Sequence, residues 1–134
     1  ISEADEEPFW LTLTALMTAV FWIPTSLSTC LERRGPGGHR RFARHDPKAH
    51  WGRRAKRAHY NAVENLAVFA PLAITVVLAR ADSGTTAAAC AIYFFARLVH
   101  YPVATLGVPV VRTVAFAIGS VAQIVLAIAI LAAM

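Results

Sequence analysis

Charge is scarce in this chain. Asp, Glu, Lys and Arg make up 16% of its 134 residues, against about 25% in an ordinary soluble domain. With 57% hydrophobic residues and a mean hydropathy of +0.51, that shortage excludes a soluble globular fold. Acids are rarer than bases, eight against thirteen, and half of them, Glu3, Asp5, Glu6 and Glu7, stand in the first seven residues. Cysteine is nearly absent. Cys30 and Cys90 lie inside apolar segments with neither metal-ligand spacing nor a disulfide framework, so they read as small core residues. The length leaves room for one domain of at most about five bilayer spans, which excludes a large catalytic domain outside the membrane. The net charge of +5 does not point to nucleic acid, because ten of the thirteen Lys and Arg fall between Arg33 and Arg57 instead of spreading over the face of a soluble fold.

What the chain has in quantity is long uncharged runs. The first extends from Pro8 to Leu31, 24 residues or about 36 Å of helix, enough to cross a hydrocarbon core of roughly 30 Å. Its acidic flank and its length predict a span and not a signal peptide, and Pro24 is expected to bend it. Residues 32–57 form a polar connection with Gly35, Pro36, Gly37, Gly38 and Pro47, a composition that breaks helices and cannot enter lipid. Further apolar runs follow at residues 58–79, 85–106 and 110–134, separated by tight turns at Asp82-Ser83-Gly84 and Gly107-Val108-Pro109. The expected fold is an all-α integral membrane protein, a bundle of four transmembrane helices in one domain.

The ten bases of the first loop predict that this loop is cytoplasmic and that both termini lie on the opposite side. Span two then begins, span three ends and span four begins at the cytoplasmic face. Arg57, His59, Asn61, Glu64, Arg97, His100, Tyr101 and Arg112 are therefore expected at one depth. Arg57, Asn61 and Glu64 recur at i, i+4, i+7, and Arg97, His100 and Tyr101 at i, i+3, i+4, so each helix presents one polar stripe. An ion pair between Glu64 and Arg97 that merely fixes packing would explain part of this. A charge near bilayer depth costs about 2.5–3.5 kcal/mol, however, and several at one level more often mark a site. Arg57 and Arg112 could alternatively snorkel to headgroups. His39, His45 and His50 lie in the basic loop without ligand geometry, so no metal is expected. Three arginines against one carboxylate suit an anion carrying several carboxylates plus an amine for Glu64, entering from the cytosol.

The stretch Arg57-Ala58-His59-Tyr60-Asn61-Ala62-Val63-Glu64-Asn65 resembles the signature of the MAPEG family, membrane-associated proteins in eicosanoid and glutathione metabolism. The likeness extends to Phe94-Phe95-Ala96-Arg97-Leu98-Val99-His100 and to Arg112-Thr113. It implies a homotrimer with glutathione as co-substrate, bound between neighbouring subunits near the cytosolic face. A lipophilic second substrate would arrive from the bilayer for transferase or peroxidase chemistry. Arg57, His59, Asn61, Glu64, Arg97 and His100 match glutathione-contact positions, and Arg112 matches the arginine that holds the reactive thiolate. Thr113 stands where some members have serine. Where the family commonly has a tyrosine one turn beyond His100, this chain has Ala104, with Tyr101 nearby on the same helix. The arginine at the cytosolic end of the first span is Arg33 or Arg34. The alternative implied by Ala104 is a non-catalytic, structural or lipid-binding subunit of a larger membrane complex. A transporter is disfavoured by the lack of internal repeats and of paired broken helices.

Overall fold

The computed structural model describes residues 5–33 and 50–134. Arg34, His39 and His45 lie outside the described residues, as does the side chain of Arg33. Every described element is a helix: α1 (Glu6–Val20), α2 (Trp22–Arg33), α3 (His50–Leu78), α4 (Gly84–Leu106) and α5 (Pro109–Ala133). With α1 and α2 counted together, four segments are long and apolar enough to cross a membrane. Leu16, Ile74, Ile92 and Val121 are among the many large apolar side chains left exposed along them. Such surface is costly in water and neutral in lipid.

The expected bend in the first span is a break at Phe21, three residues before Pro24. Proline has no N–H for the carbonyl four residues back, and its ring crowds that carbonyl, so the ladder fails at Val20. The Tyr101 hydroxyl donates to the Phe21 carbonyl at 2.8 Å, and the two rings stack at 3.9 Å and 9°. The break is thus fastened to α4.

The polar connection is shorter than its composition suggested. Helix α3 begins at His50, so residues 50–57 are helical. The prolines and all but one of the glycines of that segment lie upstream of this point, whereas Arg53, Arg54, Ala55, Lys56 and Arg57 are good helix formers.

Helix α4 is the most buried span and the hub of the bundle. Ser83 caps its start, accepting from the Thr86 N–H while the Thr86 side chain accepts from the Ser83 N–H. Gly107 ends it at φ +80°, in the left-handed region where a side chain would be strained. Thr86, Cys90, Tyr93, Arg97 and His100 are all buried, and their spacing of three and four puts them on one face. At the end near Ser83, the Thr86 hydroxyl donates to Oε1 of the fully buried Glu7 at 2.6 Å, tying α1 to α4. One apolar cluster follows, including Phe69, Tyr93, Ala122 and Leu126, with Phe69 and Tyr93 stacked at 3.9 Å. A second, Phe21, Ala58, Ala62, Tyr101 and Ala104, fills the opposite end. Alanines there let helix backbones approach closely.

Candidate functional site

At the end of the bundle where α3 starts, α4 ends and α5 starts, the three helices enclose a cavity of about 420 Å³. That volume lies within the roughly 300–1,000 Å³ of ordinary ligand pockets. Helix α3 contributes Arg54, Arg57, Ala58 and Asn61; α4 contributes His100 and Ala104; α5 contributes Arg112, Thr113 and Phe116. Among the described residues, three guanidinium groups face this space and no carboxylate does. The start of α5 adds to the positive potential, because Val108 supplies no side-chain cap and Pro109 opens the helix, leaving first-turn N–H groups without intrahelical partners.

The sequence reading placed Arg57, Asn61, His100, Arg112 and Thr113 at the site, and the fold brings these five together although they come from three helices. Arg57 and Arg112 are exposed and His100 is buried. Thr113 Oγ1 donates to the Pro109 carbonyl at 2.9 Å, so its proton is already engaged.

Four other residues stand differently. Arg97, only 2% exposed, is absent from the cavity wall and reaches it through two residues that form it. Its Nη1 donates to Asn61 Oδ1 at 2.9 Å, and its guanidinium carbon lies 5.4 Å from the centre of the Phe116 ring and 5.3 Å from that of Tyr93. Arg97 Nε and Nη2 are buried without a partner among the described residues. Gly119 makes room for them, since a Cβ there would lie 3.3 Å from Nη2. The ion pair entertained between Arg97 and Glu64 is not formed: Arg97 takes Asn61 instead, and Glu64 is exposed. Glu64 prolongs the Arg57–Asn61 stripe by one turn beyond the cavity, whereas His59 lies half-buried on another face of α3. Tyr101 does not line the cavity, because its hydroxyl is committed to Phe21. Ala104 does line it, so the position without the expected tyrosine opens on the site itself.

Sequence reading missed Arg54, which it had assigned to the polar loop. The signal was present as a stripe at residues 54, 57, 61 and 64, spaced by three or four. Arg54 Nε donates to the Thr105 carbonyl at 2.7 Å, placing a cation where the last carbonyls of α4 are exposed.

A larger groove, about 740 Å³ and almost wholly apolar, runs between α4 and α5 past Ala88, Ile92, Ile118 and Val121. By helical periodicity its α5 residues lie on the face opposite Arg112 and Phe116, so it does not open into the basic cavity.

Comparison with curated proteins and with solved structures finds no match. The family model described as MAPEG family matches residues 8–132, nearly the whole chain. That match, the four membrane-spanning segments and the polar residues gathered at one end of the bundle lead to a single conclusion: the chain is a multi-pass integral membrane protein and belongs to the MAPEG family, which includes glutathione transferases and peroxidases as well as non-catalytic members.

Proposed function

We propose that the protein is a membrane-bound glutathione-dependent transferase or peroxidase acting on lipophilic electrophiles or lipid hydroperoxides. The observation that carries this is the cavity lined by Arg54, Arg57 and Arg112, with no carboxylate among the described residues that line it. Three cations in one space repel each other until an anion enters, and glutathione at reaction carries two carboxylates and a thiolate. A thiol with an ordinary pKa of about 8.5 is a poor nucleophile at neutral pH unless a nearby cation stabilises its anion. Arg112 supplies that cation at the start of α5, with the helix dipole behind it. Thr113, whose proton serves Pro109, offers only lone pairs until its side chain rotates. Arg57, Asn61 and His100 hold the peptide. Arg97 works one layer behind them, orienting Asn61 and the Phe116 wall.

The thiolate forms a thioether at an electrophilic carbon, either expelling a leaving group as its anion or adding so that the displaced electron pair is protonated. With a hydroperoxide it attacks the distal oxygen, and the O–O bond breaks to give glutathione sulfenic acid and an alkoxide that is protonated to the alcohol. A second glutathione condenses with the sulfenic acid to the disulfide and water. The bilayer supplies the apolar partner. Glutathione lies between subunits of a homotrimer in this reading, which gives His59, on its separate face of α3, a ligand to meet in a neighbouring cavity. The basic segment before α3 faces the cytoplasm and both termini face the other side.

A second reading follows from Ala104. A cavity that retains its arginines but has an alanine where the family commonly has a tyrosine fits a structural or lipid-binding subunit of a larger membrane complex, without chemistry. One experiment separates the two. Purified protein is titrated with glutathione and assayed with a chromogenic electrophile and a lipid hydroperoxide, alongside Arg112→Ala. The enzyme reading expects turnover that disappears in the variant while glutathione affinity stays within about tenfold, since one arginine among several carries little ground-state binding. Binding without turnover on a broad panel defeats the enzyme reading, and absence of glutathione binding makes the subunit the better reading, with the polar cluster reduced to packing.

A further inference from the structure

Arg97 is a buried cation that no carboxylate among the described residues engages. Only 2% of it is exposed. Nη1 serves Asn61, and the Tyr93 and Phe116 rings flank the guanidinium at 5.3 and 5.4 Å. What remains is the edge formed by Nε and Nη2, both buried and without a hydrogen-bond partner among the described residues. These two nitrogens present parallel N–H groups, the fork with which arginine takes an anion bidentately.

Room lies on that edge. A Cβ on Gly119 would stand 3.3 Å from Nη2 and 3.5 Å from Nε but 3.7 Å from Cζ, so the place a side chain would take is nearer the donors than the carbon that joins them. The Tyr93 hydroxyl is fully buried, also unpartnered among the described residues, and lies beside Arg97 and Gln123 without hydrogen-bond geometry to either. The carboxylates stand elsewhere: Glu64 is exposed on α3, and Glu7 is engaged by Thr86 at the opposite end of α4.

A water molecule on this fork would satisfy the donors and leave the charge. A desolvated guanidinium is costly until a counter-charge meets it. The space left by one missing methyl group is too small for a carboxylate-bearing molecule, and Phe116, which lines the basic cavity, packs on Arg97 from that side.

We infer that Arg97 Nε and Nη2, with the Tyr93 hydroxyl beside them, form a buried site for a monatomic anion of the chloride class, separate from the basic cavity. Such an ion binds whether or not the cavity takes glutathione. It cancels the charge of Arg97 and holds the guanidinium that orients Asn61.

Thermal unfolding midpoints are measured in a non-ionic detergent without glutathione, in sodium chloride, sodium bromide and sodium gluconate at equal ionic strength. The proteins are the parent, Arg97→Met and Gly119→Ala. An ion that binds only the folded state raises the midpoint with the logarithm of its concentration. In saturating chloride or bromide the parent is expected to gain about 2–8 °C over gluconate. Arg97→Met, without the fork, and Gly119→Ala, without the space, should each gain less than half as much. Halide held by Arg54, Arg57 and Arg112 acts on all three proteins alike and cancels in the comparison. No gain in the parent, or a gain in Arg97→Met of half the parent's or more, overturns the proposal. Should Arg97→Met not fold, Gly119→Ala decides by the same criterion. Diffraction at the bromine absorption edge from crystals of the parent grown in bromide checks the place, with an anomalous peak expected within hydrogen-bonding distance of Nε and Nη2. Density there without anomalous signal is a water and overturns the proposal, as does bromide found in the basic cavity alone.

Discussion

Replacing Arg97 with methionine should stabilise the empty protein. Three attractions would be lost. One is the charge-assisted bond to Asn61, worth about 1.5–3 kcal/mol. The others are two ring contacts at 5.3 and 5.4 Å, worth roughly 0.5–2 kcal/mol each. Against them stands the cost of holding a guanidinium in the bundle interior with Nε and Nη2 unpartnered among the described residues. An unsatisfied buried donor costs about 1–3 kcal/mol and a desolvated ion several. Methionine has nearly the same length and regains part of the ring attraction, about 0.3–1.5 kcal/mol per sulfur contact. The expected net change is neutral to about 4 kcal/mol more stable. Asn61→Ala should do the opposite, removing the hydrogen-bond acceptor of a buried charge at a cost of about 3–5 kcal/mol, and in the Arg97→Met background it should cost less than about 1 kcal/mol. Denaturation by sodium dodecyl sulfate, followed through Trp10, Trp22 and Trp51, measures all four proteins without glutathione. The reasoning is refuted if Arg97→Met destabilises by more than about 2 kcal/mol and Asn61→Ala costs the same in both backgrounds.

Tyr101→Phe removes the hydroxyl that caps the Phe21 carbonyl, so stability should fall by about 0.5–1.5 kcal/mol while turnover stays within about twofold; a hundredfold loss of turnover would return Tyr101 to the chemistry. Thr86→Val keeps the shape of the side chain but takes the donor from Glu7 Oε1, whose companion Oε2 is already without a partner among the described residues. The expected cost is about 1–3 kcal/mol, largely recovered when Glu7→Leu is added. A double variant no more stable than Thr86→Val would show that the pair is not coupled.

The four spans were legible in the sequence because lipid demands long uncharged helices, and hydropathy reports that demand directly. The meeting of Arg57, Asn61, His100 and Arg112 was legible for a related reason: once orientation is assigned, depth follows from position along the chain. Hydropathy was silent on the first turns of α3, since a helix that projects past the membrane needs no apolar residues, and Arg54 was lost with them. It also could not separate Arg97 from Arg57. Both are arginines near one depth, and only packing determines that one lies beneath Asn61 while the other faces the cavity. Tyr101 stands outside the cavity wall for a local reason, because the carbonyl that engages its hydroxyl is free only where Pro24 has broken the first span.

The buried polar face of α4 also bears on how the protein is made. Thr86, Cys90, Tyr93, Arg97 and His100 find their surroundings only after the other helices are in place, so α4 leaving the translocation machinery alone would present an arginine and a histidine to acyl chains, at about 2.5–3.5 kcal/mol for the arginine alone. Its successor α5 is the most apolar span, with a hydropathy of 2.5 against 1.3 for α4, and follows after the short turn at Gly107. Biosynthesis therefore favours entry of the two as a helical hairpin, in which the surplus hydrophobicity of the later helix carries the earlier one into the bilayer.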